Sequence, residues 1–175
     1  MQELSLNILD ITQNSVTAGA PNIHIEIIEE PVSVSVKIKD DGSGMSEETL
    51  QKVTDPFYTS RTTRRVGLGL PFFKMQAEQT GGSFQIHSVP GEGTEVCAVF
   101  RTDSLDFIPL GDIISTVCIL IQGSPDINFY FSHKTGDKTV ELNTPDLKDV
   151  LGEDISLGEP EIVSWIKEYL TENYL

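Results

Sequence analysis

The sequence predicts an α/β (α+β) fold, and three patterns carry that prediction. The chain opens with helical spacing: Leu4, Ile8, Ile11 and Ser15 fall three and four residues apart, and Leu9 and Val16 widen the face. Two alternating stretches follow. Ile23, Ile25 and Ile27 alternate with His24 and Glu26, and Val32, Val34, Val36 and Ile38 alternate with Ser33, Ser35, Lys37 and Lys39. Each has the two-residue period of a strand with one apolar face. A second helical segment and a second pair of strands then occupy residues 70–100.

Each element has local punctuation. Gly19 and Pro21 stop the first helix, and Glu30-Pro31 turns the chain between the first two strands. The stretch 40–44 is a tight glycine loop, after which Ser46 caps a short helix with Glu47 and Glu48 in its first turn. Residues 55–66 have no period and read as a loop. Beyond Gly67 and Gly69, Pro71 suits a first helical turn, Leu70, Phe73 and Ala77 supply a core face, and Gly81-Gly82 ends the helix. Strands at 83–88 and 94–100 are joined by Pro90-Gly91-Glu92-Gly93. Asp112 suits the cap of a helix over 113–122, although the β-branched content also fits a buried strand; the helix is preferred. Residues 127–133 and 138–142 read as a hairpin around Thr135-Gly136-Asp137, and Thr144-Pro145 and Glu159-Pro160 as helix starts. The terminal helix, 161–173, presents Ile162, Trp165, Ile166 and Tyr169, a face expected to pack on the rest of the protein because it would be a liability in water.

Composition narrows the function classes. With 175 residues the chain forms one domain or one plus a small appendage, divided near residues 104–109. The formal net charge of −15 excludes nucleic acid and anionic membrane as general partners. The two cysteines, Cys97 and Cys118, are too few for a disulfide framework or a zinc cage and are expected to be core thiols. The apolar run 113–121 is too short to span a bilayer, and the start resembles no signal peptide, so a cytoplasmic protein is expected. Charge is uneven: residues 1–103 carry 8 basic and 14 acidic residues, residues 104–175 carry 4 and 13. Against that background, Arg61, Arg64 and Arg65 cluster in one loop, read either as a solvated loop or as a segment that meets an anion.

Four short patterns bear on chemistry. Asp10 and Asn14 share a helix face, which Asn7 extends. An amide oxygen suits Mg²⁺ and a carboxylate accepts a proton, although the same stripe also fits a plain solvent face. Asp40-Asp41-Gly42-Ser43-Gly44-Met45 follows a strand, so its glycines allow close backbone approach and its carboxylate can accept a bond from an exocyclic amine; a simple turn is the plainer reading. Gly67-Leu68-Gly69-Leu70 opens a helix, where free backbone N–H groups attract anions, without the Lys-Ser/Thr pair of a Walker loop. Thr94, after Gly91-Glu92-Gly93, stands where a hydroxyl can touch a base or an ordered water.

Together, in this order, the patterns resemble the motifs of the GHKL superfamily, the ATP-binding fold of histidine kinases, type II topoisomerases, a heat-shock chaperone family and MutL proteins. The stretch from Asp10 through Asn14 to Ala20 resembles the N box, Asp40 to Met45 the G1 box, Asp55-Pro56-Phe57-Tyr58-Thr59-Ser60 the F box, Gly67 to Leu70 the G2 box, and Gly93-Thr94 the last motif. The resemblance implies a Bergerat-type α/β (α+β) two-layer sandwich with a mixed sheet over residues 1–103, and a small acidic α+β extension over 104–175. It further implies Mg²⁺ on Asn14, a general base at Asp10, adenine recognition by Asp40 with Gly42 and Gly44 shaping the pocket, phosphates on Gly67, Leu68, Gly69 and Leu70, and Thr94 near the base. The loop 55–66, with its arginines, would be a lid over the triphosphate.

Some positions depart from the family. Hydrolysing members have Glu where this chain has Asp10, Thr17 stands where MutL relatives have Asp, and the basic N-box residue of histidine kinases is missing. His24, His87 and His133 fall in strand patterns, not in a phosphoacceptor helix. The expected function is therefore Mg²⁺-ATP binding with hydrolysis, or phosphorylation of a separate signalling protein. The alternative is a non-catalytic ATP-dependent switch that binds a regulatory partner. The expected partners are a nucleotide and a protein, and a dimer remains open.

Overall fold

A computed structural model describes residues 3–55 and 69–175. In chain order the elements are α1 (Leu4–Thr17), β1 (Asn22–Glu30), β2 (Ser33–Asp40), α2 (Glu47–Val53), α3 (Gly69–Gln79), β3 (Ser83–Val89), β4 (Gly93–Arg101), α4 (Ile113–Gly123), β5 (Asn128–Thr135), β6 (Lys138–Asn143), α5 (Thr144–Leu151) and α6 (Pro160–Tyr174). Among the described residues, six strands form one sheet in the order β3-β4-β2-β1-β5-β6. All neighbours are antiparallel except β1 and β5, which run parallel, so the sheet is mixed as expected.

The alternation read from the sequence determines which face is covered. Ile23, Ile25 and Ile27 of β1, Val34, Val36 and Ile38 of β2, and Val96, Ala98 and Phe100 of β4 all turn to one side and are buried. Against them pack Leu4, Ile8 and Ile11 of α1, Leu70, Phe73 and Ala77 of α3, and Val117, Leu120 and Ile121 of α4. Phe73 meets Phe100 edge-on, with ring centroids 5.2 Å apart. The opposite face carries His24, Lys37, Lys39, Glu95 and Cys97, half-buried or exposed, which makes the molecule a two-layer sandwich. Cys97 is therefore not a core thiol: the inward positions of β4 are its even-numbered ones, and Cys97 lies between them. Cys118 of α4 is buried.

Residues 104–175 are built into the same layers. β5 adds to the free edge of β1, with Ile25 opposite Phe131, and Asn128 donates its backbone N–H to Pro21 O at 2.9 Å. The segment 113–123 is a helix, with Asp112 capping it by accepting from Ser115 N at 3.0 Å and Ser115 Oγ at 2.6 Å. These bonds hold the Asp112 carboxyl below its ordinary range. Burial between α1 and α6 outweighs the low helix propensity of its β-branched residues. In α6 the inward stripe is Ile166 and Leu170, both fully buried, while Trp165, expected on the packed face, is 49% exposed. α6 packs against α4, and with the i, i+4 pair at 166 and 170 turned inward Trp165 lies to the side. No helix of the described residues is long and apolar enough to cross a membrane.

The start of α1 depends on the extension. α1 has no side-chain N-cap; instead Leu4 N donates to Pro109 O and Ser5 N to Leu110 O, both at 2.8 Å. Glu3 returns the contact by accepting from Asp112 N at 3.1 Å, and Thr116 Oγ1 donates to Ser5 O at 3.2 Å. Helix N–H groups that would otherwise need water or a capping residue are thus satisfied by the segment just after β4.

Candidate functional site

The C-terminal end of β2 opens onto a small cavity of about 170 Å³. Ile11 of α1, Ile38 of β2, Met45, Val53, Leu70 and Val96 make its walls apolar. Asn14, Ser15, Asp40, Ser43 and Thr94 are its polar side chains. They converge because α1 lies over the sheet and because β2 and β4 pair in a register that sets Asp40 opposite Thr94 and Ile38 opposite Val96. A small apolar slot with few, directed polar groups suits a flat ring system.

Asp40 is the buried charge of the slot, 8% exposed. Its Oδ2 accepts from Ser15 Oγ at 2.5 Å and its Oδ1 from Gly42 N at 2.9 Å. Each carboxylate oxygen can accept two bonds, so the tethered group keeps acceptor capacity toward the cavity. The loop after β2 is shaped around it. A Cβ on Gly42 would stand 2.9 Å from Ala18 O, and one on Gly44 (φ +69°) would overlap the Val89 carbonyl. Asp41 points away and takes Asn22 N and Nδ2 at 2.9 and 2.8 Å, pinning the loop to β1. Across the slot, Ser88 Oγ accepts from Met45 N at 2.8 Å and shares a 2.7 Å bond with Thr94 Oγ1. Gly93 (φ +126°) passes so close to β2 that a Cβ there would overlap the Asp40 carbonyl.

The mouth of the slot has a different character. Asn14 is half-buried on its wall, and Asp10, one turn earlier on α1, is exposed. The first turn of α3 stands beside Asp10: a Cβ on Gly69 would lie 3.5 Å from the Asp10 Cβ. This partial burial pushes the Asp10 carboxyl above its ordinary range. A base of raised proton affinity beside an 11-residue helix whose first N–H groups lack intrahelical partners is an arrangement suited to anion chemistry. Asn7 is turned away from this mouth; it is 5% exposed and donates Nδ2 to Gln76 Oε1 of α3 at 2.6 Å.

The structure thus brings together Asp10, Asn14, Asp40, Gly42, Gly44, Gly69, Leu70 and Thr94. Gly67, Leu68, the arginines 61, 64 and 65, and residues 56–60 of the F-box stretch lie outside the described residues. Sequence reasoning missed Ser15, which sits in the apolar stripe of α1 and reads as a core position. A hydroxyl in an otherwise apolar stripe, facing a strand-end carboxylate, was the available signal. Asn22 and Ser88 have no such signal, because only the strand register brings them to the loop. Larger hollows of about 500 Å³ beside Phe72 and Met75, and about 640 Å³ between α5 and α6, lack a tethered buried carboxylate. Among the described residues no three His, Cys, Asp or Glu side chains gather as a metal cage. The histidines lie in strands: His24 stacks on Tyr130 at 4.3 Å, and buried His133 bonds Glu29 and Tyr174.

Comparison with known proteins agrees with this geometry. The family model for histidine kinase-, DNA gyrase B-, and HSP90-like ATPases matches residues 1–104. A putative sensor protein of Shewanella frigidimarina is 32% identical over 109 residues, covering 60% of this chain and 17% of that protein. The sensor protein SrrB of Staphylococcus aureus is 35% identical over 99 residues, covering 54% of this chain and 17% of that one. The sensor kinase CckA of Brucella abortus is 32% identical over 84 residues, 47% and 9% of the two chains. The match therefore takes in less than a fifth of these curated relatives. The MutL ATPase domain of Aquifex aeolicus, solved with ADP, shares the fold with a TM-score of 0.54 at 15% identity, covering 86% of this chain and 69% of that one.

Proposed function

Because the chain belongs to the GHKL family of histidine kinase-, DNA gyrase B- and HSP90-like ATPases, we propose that it binds Mg²⁺-ATP and either hydrolyses it or transfers its γ-phosphate to a separate signalling protein. The observation that carries this reading is the tethered carboxylate of Asp40 at the floor of the 170 Å³ slot. Ser15 and Gly42 hold it while it accepts from the exocyclic amine of adenine. Ile38, Val96, Met45 and Leu70 enclose the ring, and Thr94 bounds it on the β4 side. Gly42 and Gly44 let the backbone pass close by. Gly67, Leu68, Gly69 and Leu70 receive the phosphates, with the α3 start as the anion site.

Asn14 fits Mg²⁺: its amide oxygen is a hard donor at the wall of the slot, and a single protein ligand suits an ion otherwise held by phosphates and waters. When bound, the ion neutralises charge on the triphosphate. Asp10 accepts the proton of the attacking water or partner hydroxyl, a role supported by its raised proton affinity. Residues 1–103 act as the nucleotide domain and 104–175 as its appended module, in the cytoplasm, with a protein rather than nucleic acid or membrane as partner. Strand positions for His24, His87 and His133 argue against a phosphoacceptor among them.

A second reading, an ATP-dependent switch without catalysis, is favoured by one observation. The first turn of α1, the helix of Asp10 and Asn14, is capped by Pro109 and Leu110, so a shift of α1 is felt in the extension. Incubation with γ-labelled Mg²⁺-ATP separates the readings. Release of phosphate by wild type and not by Asp10→Asn supports hydrolysis; tight binding with neither release nor transfer supports the switch. Normal ATP binding by Asp40→Asn overturns both.

A further inference from the structure

The last two helices leave an apolar groove between them, a hollow of about 640 Å³. Leu147, Val150 and Leu151 of α5 form one wall, Ile162 and Trp165 of α6 the other. The fold does not need all of these side chains. Ile166 and Leu170 already bury the inward stripe of α6, whereas Val150 is 84% exposed and Trp165 49%. The indole is nevertheless held. Tyr169 stacks on it with centroids 5.4 Å apart and planes 18° from parallel, and Tyr169 Oη donates to Glu141 O at 3.4 Å.

Glu161 lines the groove, and the helices that form it and the segment between them are acidic. Asp146 and Asp149 on α5, Glu153 and Asp154 between the helices, and Glu161 and Glu168 on α6 are all exposed. Of the two lysines on these helices, Lys148 is directed elsewhere, donating to Asp126 O, Ile127 O and Asn128 Oδ1 at 3.2, 3.3 and 2.9 Å. An apolar trough with a held aromatic anchor on acidic helices selects its occupant by charge as well as by shape.

We propose that this groove docks a basic amphipathic helix of a partner protein, apolar side chains against Trp165 and Val150 and Lys or Arg toward these carboxylates. A second copy of the chain is the wrong occupant. It brings the same carboxylates and a net charge of −15, so a symmetric pairing sets like charges face to face. The inference stands on α5 and α6 alone and does not depend on the nucleotide site.

The chain has one tryptophan, so its emission reports on the groove directly. The probe is a synthetic Leu/Lys amphipathic helix of the length of α6, with a control of the same composition in scrambled order. The expected result is a saturable blue shift of Trp165 emission with the amphipathic probe, weakened by salt and absent with the scrambled control. Val150→Asn, at an exposed position that does not threaten folding and without added charge, is expected to weaken binding of a dye-labelled probe about ten-fold or more. Equal binding of both probes means charge attraction alone and overturns the proposal, as does an unshifted emission or an undiminished affinity in Val150→Asn. A blue shift that grows with protein concentration without probe, accompanied by dimer in light scattering, assigns the groove to a second copy and overturns it too.

Discussion

The floor and the mouth of the slot are built on opposite plans. At the floor, Asp40 is buried, bonded at both oxygens, and surrounded by backbone so close that Gly42, Gly44 and Gly93 have no room for a Cβ. At the mouth, Asp10 is exposed and Asn14 half-buried on one helix face, with the start of α3 beside them. On the proposed function, recognition of the ring would be prepaid in the folded protein, whereas phosphate and metal chemistry would be assembled around the ligand. The two ends should respond differently to mutation: changes at the floor cost binding and folding together, and changes at the mouth cost chemistry while leaving the fold intact.

The largest effect is expected at Asp40. Asp40→Asn keeps the shape but replaces acceptor by donor on one side, and ATP affinity measured calorimetrically should fall by about 100-fold or more. Next is Gly93→Ala, which combines a left-handed backbone with overlap on the Asp40 carbonyl. It should lower stability by about 2–4 kcal/mol in urea unfolding and weaken nucleotide binding with it. An unaffected Gly93→Ala would mean that the floor is softer than its geometry states. Ser15→Ala removes the 2.5 Å bond to Asp40, and should cost about 1–2 kcal/mol of ATP binding with little change in the far-ultraviolet spectrum.

At the mouth, Asp10→Asn should reduce phosphate release or transfer by about 100-fold while ATP affinity is kept. The direction of the Asp10 shift adds a pH test. Its proton affinity in the folded protein is raised, and the base is the ionised form, so turnover should fall as pH is lowered, with a midpoint above the ordinary aspartate value of about 3.9. The acid limb should vanish in Asp10→Asn. Stability runs the other way. A carboxyl whose folded pKa is raised stabilises the fold when protonated and loses that contribution as pH rises through the shifted pKa. Asp10→Asn should therefore melt slightly higher than wild type at neutral pH and equally at low pH. A single substitution that lowers activity while raising Tm would separate chemistry from folding at this end of the slot.

Much of this architecture was legible beforehand where local chemistry speaks for itself. Ser46 and Asp112 cap the helices they precede, the alternation at 23–27 and 34–38 marked the buried face, although Val32, read as part of it, lies before β2 and is exposed, and the order of the short motifs pointed to the slot. Illegible were facts that live in register and packing. Nothing local says that Asp40 faces Thr94, that β5 lies parallel to β1, or that Pro109 and Leu110 cap α1 through their backbone. Ser15 was hidden because a small hydroxyl in an apolar stripe reads as filler. Trp165 was misplaced for the opposite reason: an apolar face that would be a liability in water suggested packing, yet with Ile166 and Leu170 as the inward pair Trp165 lies in the groove.

The central claim is that Asp40 reads an exocyclic amine from the floor of the slot. Titrating the wild-type chain and Asp40→Asn with Mg²⁺-ATP and with Mg²⁺-GTP by calorimetry tests it most directly, because guanine carries a carbonyl where adenine carries the amine. The account predicts saturable ATP binding by wild type, GTP weaker by about 100-fold or more, and loss of ATP binding in Asp40→Asn. Equal affinity for the two nucleotides, or undiminished ATP binding by Asp40→Asn, would contradict it.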